Sequence, residues 1–153
     1  MTTTQTLLDR LIAQGFDLSQ IKTDSDSLEH WGKDWTKHFI PNASAILFPK
    51  STEQVQAIVK LCNELNIVIT PSGGRTGLSA GAVASNGEVV VSLDKMNQVI
   101  DYYPADRMVH VQTGMVTKSL QDFAESNGLY YPVDFASAGS SQIGGNIGTN
   151  AGG

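Results

Sequence analysis

The run Pro71-Ser72-Gly73-Gly74-Arg75-Thr76-Gly77-Leu78-Ser79 constrains this chain more than any other stretch. It follows an apolar segment, residues 67–69 with Thr70, that reads as a strand, and it places three glycines within five positions. Glycine has no Cβ, so the backbone there can take φ > 0 and come close to a ligand. Successive peptide N–H groups in such a turn can point into one concavity and bind an anion without any lysine, phosphate being the natural guest. The competing account is a tight surface loop with no ligand. Two named phosphate patterns are excluded by spacing. G-x-x-x-x-G-K-[ST] fails because no lysine lies between Lys60 and Lys95, and G-x-G-x-x-G fails on the spacing of Gly73, Gly74 and Gly77. A second stretch, residues 140–153, repeats the same kind of composition as Ser-Ser-Gln-Ile-Gly-Gly-Asn-Ile-Gly-Thr-Asn-Ala-Gly-Gly. Two such stretches in one small chain favour a ligand-binding role over a plain surface loop.

The rest of the chain supplies a scaffold. At 153 residues it has room for one domain, and 41% hydrophobic with 16% charged residues is enough to bury a core. A formal net charge of −5, with no Lys/Arg cluster, argues against a nucleic-acid partner. No apolar run approaches the roughly 18 residues that suggest a membrane-spanning helix. The start, Met-Thr-Thr-Thr-Gln, lacks the basic end and apolar core of a signal peptide, which predicts a soluble, cytoplasmic protein. Cys62 is the only cysteine, so neither an internal disulfide nor a Cys-based metal or redox pair can form, and it reads as a small buried residue on a helix.

In chain order, Leu7, Leu8, Leu11 and Ile12 recur at helical spacing with Gly15 as a stop, which predicts a helix over 4–14. Residues 17–39 are polar and carry Asp24, Asp26, Glu29, His30, Asp34 and His38. The two histidines have no regular carboxylate spacing, so the segment reads as a solvated lead-in and no metal ligand is assigned. Residues 45–48 form a strand ending before Pro49, and Ser51 with Gln54 makes a capping box. Val55, Ile58, Val59, Cys62 and Leu65 then make one apolar helical stripe, stopped at Asn66. Residues 67–70 form the next strand, which completes a βαβ unit with the glycine-rich turn at its carboxyl end. Strands follow at 88–93, 98–103 and 108–113, the last pair joined by a turn at Pro104-Ala105-Asp106. Thr117 caps a helix whose Leu120, Phe123 and Ala124 face inward and which ends at Asn127-Gly128. The order predicts an α+β domain with a mixed sheet.

The glycine-rich turn, Tyr131-Pro132-Val133-Asp134 and the run from Gly139 to Gly153 together resemble the FAD-binding domain of the p-cresol methylhydroxylase and vanillyl-alcohol oxidase superfamily (PCMH-type). The likeness runs over residues 34–153. Within the superfamily it is strongest to the D-2-hydroxyacid dehydrogenase branch: D-2-hydroxyglutarate dehydrogenase, flavin D-lactate dehydrogenase and the glycolate oxidase FAD subunit. Asp34-Trp35 and the Gly-Ser-Ser-Gln-Ile-Gly-Gly-Asn form of the second stretch favour the 2-hydroxyglutarate type. The resemblance implies a helical lead-in over 1–40 and the N-terminal part of the FAD domain over 41–153. The resembling proteins are much longer, and a chain end inside a glycine-rich ligand loop leaves nothing to order it; the expectation is a truncated protein, inactive as it stands, whose exposed sheet edge and apolar surface predict self-association.

By the same resemblance, Ser72, Gly73, Gly74, Arg75, Thr76 and Gly77 hold the FAD pyrophosphate through backbone N–H groups, and Leu78 and Ser79 finish the turn. Pro132, Gly139, Ser140, Ser141, Gly144, Gly145, Asn146, Thr149 and Asn150 match the second contact segment, along the pyrophosphate, ribityl chain and flavin edge. For Asn146 and Asn150 the alternative is a role as left-handed turn residues. Some superfamily members attach FAD through a histidine after the paired glycines; Arg75 stands there and cannot form that bond, so the cofactor is expected to be non-covalent. Arg75 would add charge near the diphosphate, or else be a surface cation. The implied reaction is oxidation of a D-2-hydroxy acid (2-hydroxyglutarate, lactate or glycolate) to the 2-oxo acid, with hydride passing to flavin N5 and electrons passing on to a quinone or an electron-transfer flavoprotein. No catalytic base is assigned. The alternative is a non-catalytic nucleotide-binding or assembly module that keeps the fold.

Overall fold

In the computed structural model, which describes residues 2–152, a four-stranded mixed sheet is flanked by helices and joined to a separate hairpin. Helix α1 (Thr3–Ala13) begins where Thr2 Oγ1 accepts the Gln5 N–H at 3.2 Å and ends before Gly15 at φ +94°. Its buried face is Leu7, Leu8 and Leu11; Ile12 lies off that face and is exposed.

The lead-in holds more structure than its polarity suggests. A 3-10 turn (Leu18–Gln20), strand β1 (Ile21–Lys22) and helix α2 (Ser25–Trp31) occupy it. These pieces are too short to show periodicity and are held by tertiary partners. Buried Gln20 donates to Phe48 O at 2.9 Å and to Gln54 Oε1 at 2.8 Å, while Asp24 Oδ1 accepts the Ser27 N–H at 3.0 Å to cap α2. That bond and the Ser27 hydroxyl hold the Asp24 carboxyl below its ordinary value.

Strand β2 (Ala45–Leu47) leads into helix α3 (Thr52–Glu64), capped by Ser51, whose Oγ accepts the Gln54 N–H at 3.3 Å. The expected capping box forms only in part, because Gln54 Oε1 takes the Lys50 N–H at 2.7 Å. Asn66, at φ +54°, turns the chain after α3, and Ile67 N–H returns to Cys62 O at 2.8 Å. The buried stripe is Ile58, Leu61 and Cys62, with Val59 outside it. Burial pushes the Cys62 thiol up to about 11.

Strands β3 (Ile69–Ser72) and β4 (Val89–Ser92) complete the sheet in the order β1-β2-β4-β3. β4 runs parallel to both β2 and β3, and β1 is antiparallel to β2. The strands of the expected βαβ unit are therefore parallel but separated by β4. Alternation along the strands splits the core into two layers. Ala45, Leu47, Val89 and Val91 pack with α1 and α3, whereas Ile46, Phe48 and Val90 pack with Ala84, Leu28 and Trp31.

Strands β5 (Val99–Tyr103) and β6 (Met108–Val111) form the hairpin, with Arg107 at φ +52° after the turn. Helix α4 (Thr117–Ser126) closes at Asn127 before Gly128, φ +68°. Val116, not Thr117, is its N-cap, and no side chain caps it. Val116 bridges Gln142 and the Thr117 N–H reaches Ser141 O at 2.9 Å, so tertiary backbone pairing does the work of a cap. The second glycine-rich stretch is also not a plain loop. Residues Ile143–Gly148 form helix α5, with Asn146 N–H on Gln142 O at 2.9 Å and Thr149 N–H on Gly145 O at 3.0 Å. Glycine costs a helix up to about 1 kcal/mol per residue relative to alanine. Packing outweighs this cost, since Ile143 is buried against Met115 and Leu120 in a third cluster that also takes Val99, Val109 and Val111.

Candidate functional site

β3 delivers the first glycine-rich turn at its carboxyl end. The ladder closes with the Leu93 N–H on Ser72 O at 3.0 Å, after which the chain leaves the sheet. Among the described residues, none of the backbone N–H groups from 73 to 82 is paired with a protein acceptor; the first to be paired is Val83, on Ala80 O at 3.1 Å. These residues are half-buried or exposed, so their N–H groups are open to solvent or to a ligand. A run of free donors at the end of a strand is what an anion-binding concavity requires.

The glycines serve this turn differently from their expected use. Gly73, Gly74 and Gly77 all keep ordinary φ; the left-handed residue is Arg75, at φ +57°. What Gly74 provides is space. A Cβ there would stand 2.8 Å from Ser141 Cα and closer still to the Ser140 carbonyl oxygen, so its bare backbone lets the two glycine-rich segments touch. The Arg75 guanidinium is neither a free surface cation nor turned outward. It donates to Gly73 O at 2.8 Å and pairs with Asp94 Oδ1 at 3.2 Å.

The second segment is fixed by its own network. Thr117 Oγ1 lies 2.8 Å from Ser141 Oγ and accepts from Asn146 Nδ2 at 2.7 Å, all three side chains being buried. Gly144 packs against Thr113, where a Cβ would come within 2.8 Å of Thr113 Cβ, and its N–H bonds Thr113 O at 2.8 Å. Thr149 Oγ1 turns back to Gly145 O at 2.8 Å. Asn150 adopts φ +53°, as a left-handed turn residue does. Leu78, Ser79, Pro132, Gly139, Ser140 and Gly145 are exposed, while Ser72 is fully buried and Thr76 half-buried.

Three buried side-chain oxygens have no partner among the described residues: Asp34 Oδ2, Ser72 Oγ and Gln142 Oε1. All border the first turn. Ser72 opens it, Gln142 Oε1 lies 3.4 Å from where a Gly73 Cβ would be, and Asp34 Oδ2 lies 3.8 Å from the same point on Gly77. The other Asp34 oxygen is taken by Thr36, through N–H at 2.8 Å and Oγ1 at 2.6 Å. Asp34, Gln142 and Asp94 were assigned no site role from the sequence. Motif matching could have flagged Gln142, which lies inside the second segment; Asp34 and Asp94 have no local pattern.

Unpaired donors, unpaired acceptors and small residues at one strand end suit a ligand that offers both an anionic group and hydrogen-bond donors. The chain belongs to the FAD-binding domain family, whose model matches residues 43–153. A protein of Stutzerimonas stutzeri (strain A1501) named D-2-hydroxyglutarate dehydrogenase is 67% identical over 134 residues, covering 88% of this chain and 29% of its own length. One of the same name from Xanthomonas citri pv. viticola is 49% identical over 142 residues, 93% of this chain and 30% of that one. A D-lactate dehydrogenase of Anaerostipes hadrus is 48% identical over 103 residues, 67% of this chain and 22% of its own. The chain thus spans less than a third of these curated relatives.

Solved structures show the same fold. Alkyldihydroxyacetonephosphate synthase superposes with a TM-score of 0.84 at 21% identity, over 94% of this chain and 28% of that one. p-Cresol methylhydroxylase with substrate bound gives 0.78 at 25% identity, over 95% and 29%. The fold is PCMH-type, α+β with a mixed sheet, as the sequence predicts. Among the described residues no helix is long and apolar enough to cross a membrane.

Proposed function

We propose that this chain is the FAD-binding portion of a flavin-dependent dehydrogenase that oxidises a D-2-hydroxy acid of the 2-hydroxyglutarate, lactate or glycolate type to the 2-oxo acid. The observation that carries the proposal is the run of unpaired N–H groups over 73–82, set against Ser140 and Ser141 where Gly74 permits contact. Names borne by the similar dehydrogenases support the substrate class.

In this proposal the N–H groups of Gly73, Gly74, Arg75, Thr76 and Gly77 hold the diphosphate, with Ser72 at the head of the turn and Leu78 and Ser79 closing it. Pro132, Gly139, Ser140, Ser141, Gly144, Gly145, Asn146, Thr149 and Asn150 line the second side. Asp34 Oδ2 and Gln142 Oε1 add acceptors for ligand N–H or O–H groups. When bound, FAD supplies the hydride acceptor at N5. Attachment is non-covalent, since Arg75 occupies the histidine position and its guanidinium is engaged by Gly73 and Asp94. Residues 1–40 are the lead-in and 41–153 the first part of the cofactor domain. A cytoplasmic location, a quinone or electron-transfer flavoprotein as acceptor, and self-association of the chain as given complete the proposal.

The test is to express the protein with its complete natural sequence and record its visible spectrum before and after adding D-2-hydroxyglutarate and D-lactate. A yellow protein that bleaches with one acid and releases its flavin on acid precipitation bears the proposal out. Flavin that stays with the precipitate refutes non-covalent attachment. A colourless protein that takes up no added FAD leaves the alternative, a non-catalytic module that keeps the fold.

A further inference from the structure

We propose that Asp94 is the positioning residue that holds the two glycine-rich segments in their FAD-binding arrangement, an inference that rests on the FAD reading above. Asp94 follows β4, the strand beside β3, so its carboxylate lies next to the turn that β3 delivers. Three donors from three separate places converge on it. Trp31, the last residue of α2, gives its indole N–H to Oδ2 at 2.8 Å. Arg75, in the first turn, gives Nη1–H to Oδ1 at 3.2 Å. Gln142, the N-cap of α5, gives Nε2–H to Oδ1 at 2.8 Å.

Each leg has a consequence for the site. A residue with a Cβ is disfavoured in the left-handed region, and Arg75 sits there at φ +57°. Its guanidinium ties the turn's own Gly73 carbonyl to Asp94, in an ion pair whose side chains are only 20% and 26% exposed. This closes a ring across the turn and fixes where the N–H groups of 73–77 point. The Gln142 leg sets the sense of its amide. A carboxylate can only accept, so the nitrogen must face Asp94 and the oxygen must face Gly73, where it is left without a partner. One charge therefore shapes the donor turn, aims an acceptor beside it and holds the second segment against the first.

The test uses the protein with its complete natural sequence, stripped of flavin, and reads FAD affinity by titration alongside the melting temperature of the FAD-free protein. Asp94→Asn and Arg75→Lys should each raise the FAD dissociation constant by about tenfold or more, the scale of a lost charge-assisted hydrogen bond. Asp94→Glu, which keeps the charge, should recover part of the loss. Leu8→Ala, a core truncation that touches neither segment, should lower the melting temperature and leave affinity unchanged. Affinity losses that follow melting temperature across all the variants would make Asp94 a structural residue and overturn the proposal, as would undiminished affinity in Asp94→Asn. If Asp94→Asn fails to fold, Arg75→Lys and Asp94→Glu carry the same comparison. A wild-type protein that binds no FAD overturns the underlying FAD reading instead.

Discussion

At the scale of single residues, Gly74 and Gly145 separate two uses of glycine that look alike in sequence. A methyl group at 74 meets backbone of the second segment, which cannot swing aside as a side-chain end would, whereas one at 145 meets nothing within 4 Å. Gly74→Ala should cost about 1–3 kcal/mol as an overpacked contact. Gly145→Ala should leave the fold intact or stabilise it by up to about 1 kcal/mol through helix propensity. Thermal or urea melts of the FAD-free protein check both, and equal effects would contradict the close approach at 74. That glycine mattered around 73–77 was legible in the sequence. That the left-handed residue is Arg75 was not, and its guanidinium is held by a carboxylate 19 positions away.

At the scale of elements, the second stretch shows how short helices escape sequence reading. With glycine at 144, 145 and 148, residues 143–148 have poor intrinsic helix propensity and no side-chain cap, and the helix exists because Ile143 is buried and Gly144 seats on Thr113. The hydroxyl of Thr117 joins α4 to this helix through Ser141 and Asn146. Thr117→Val keeps the shape and strands two buried polar groups, which should cost about 1–3 kcal/mol. Limited proteolysis should then cut within 139–150 faster than in the parent, and an unchanged rate would mean that the network is not what holds α5. Longer elements were legible, since α1, α3 and α4 repeat apolar residues over several turns and end at Gly15, Asn66 and Gly128.

At the scale of the whole molecule, Asp94 makes one contribution to stability that acid removes. Burial alone would raise its carboxyl, but the Trp31 bond, the Arg75 charge and bond, and the Gln142 bond together hold it below the ordinary 3.8. The unfolded chain then binds this proton at higher pH than the folded one, so the contribution is present above about 4 and is lost as pH falls through the folded value. Denaturant titrations should find the stability gap between wild type and Asp94→Asn constant from pH 7 to 5, in the range where both states are ionised, and shrinking below about 4; a gap that stays constant into acid would place the charge elsewhere. Features set by neighbours along the chain could be read from amino-acid order: the α+β class, the main strands and helices, and the glycine-rich turn after a strand. Local spacing and backbone preference act within a few residues and leave a pattern there. The insertion of β4 between β2 and β3, the contact of Gly74 with Ser140, and the convergence of Trp31, Arg75 and Gln142 on Asp94 required the folded chain. The first pairs strands distant in sequence, and the other two join groups 19 to 66 positions apart through single hydrogen bonds and close contacts; none leaves a local periodicity to read.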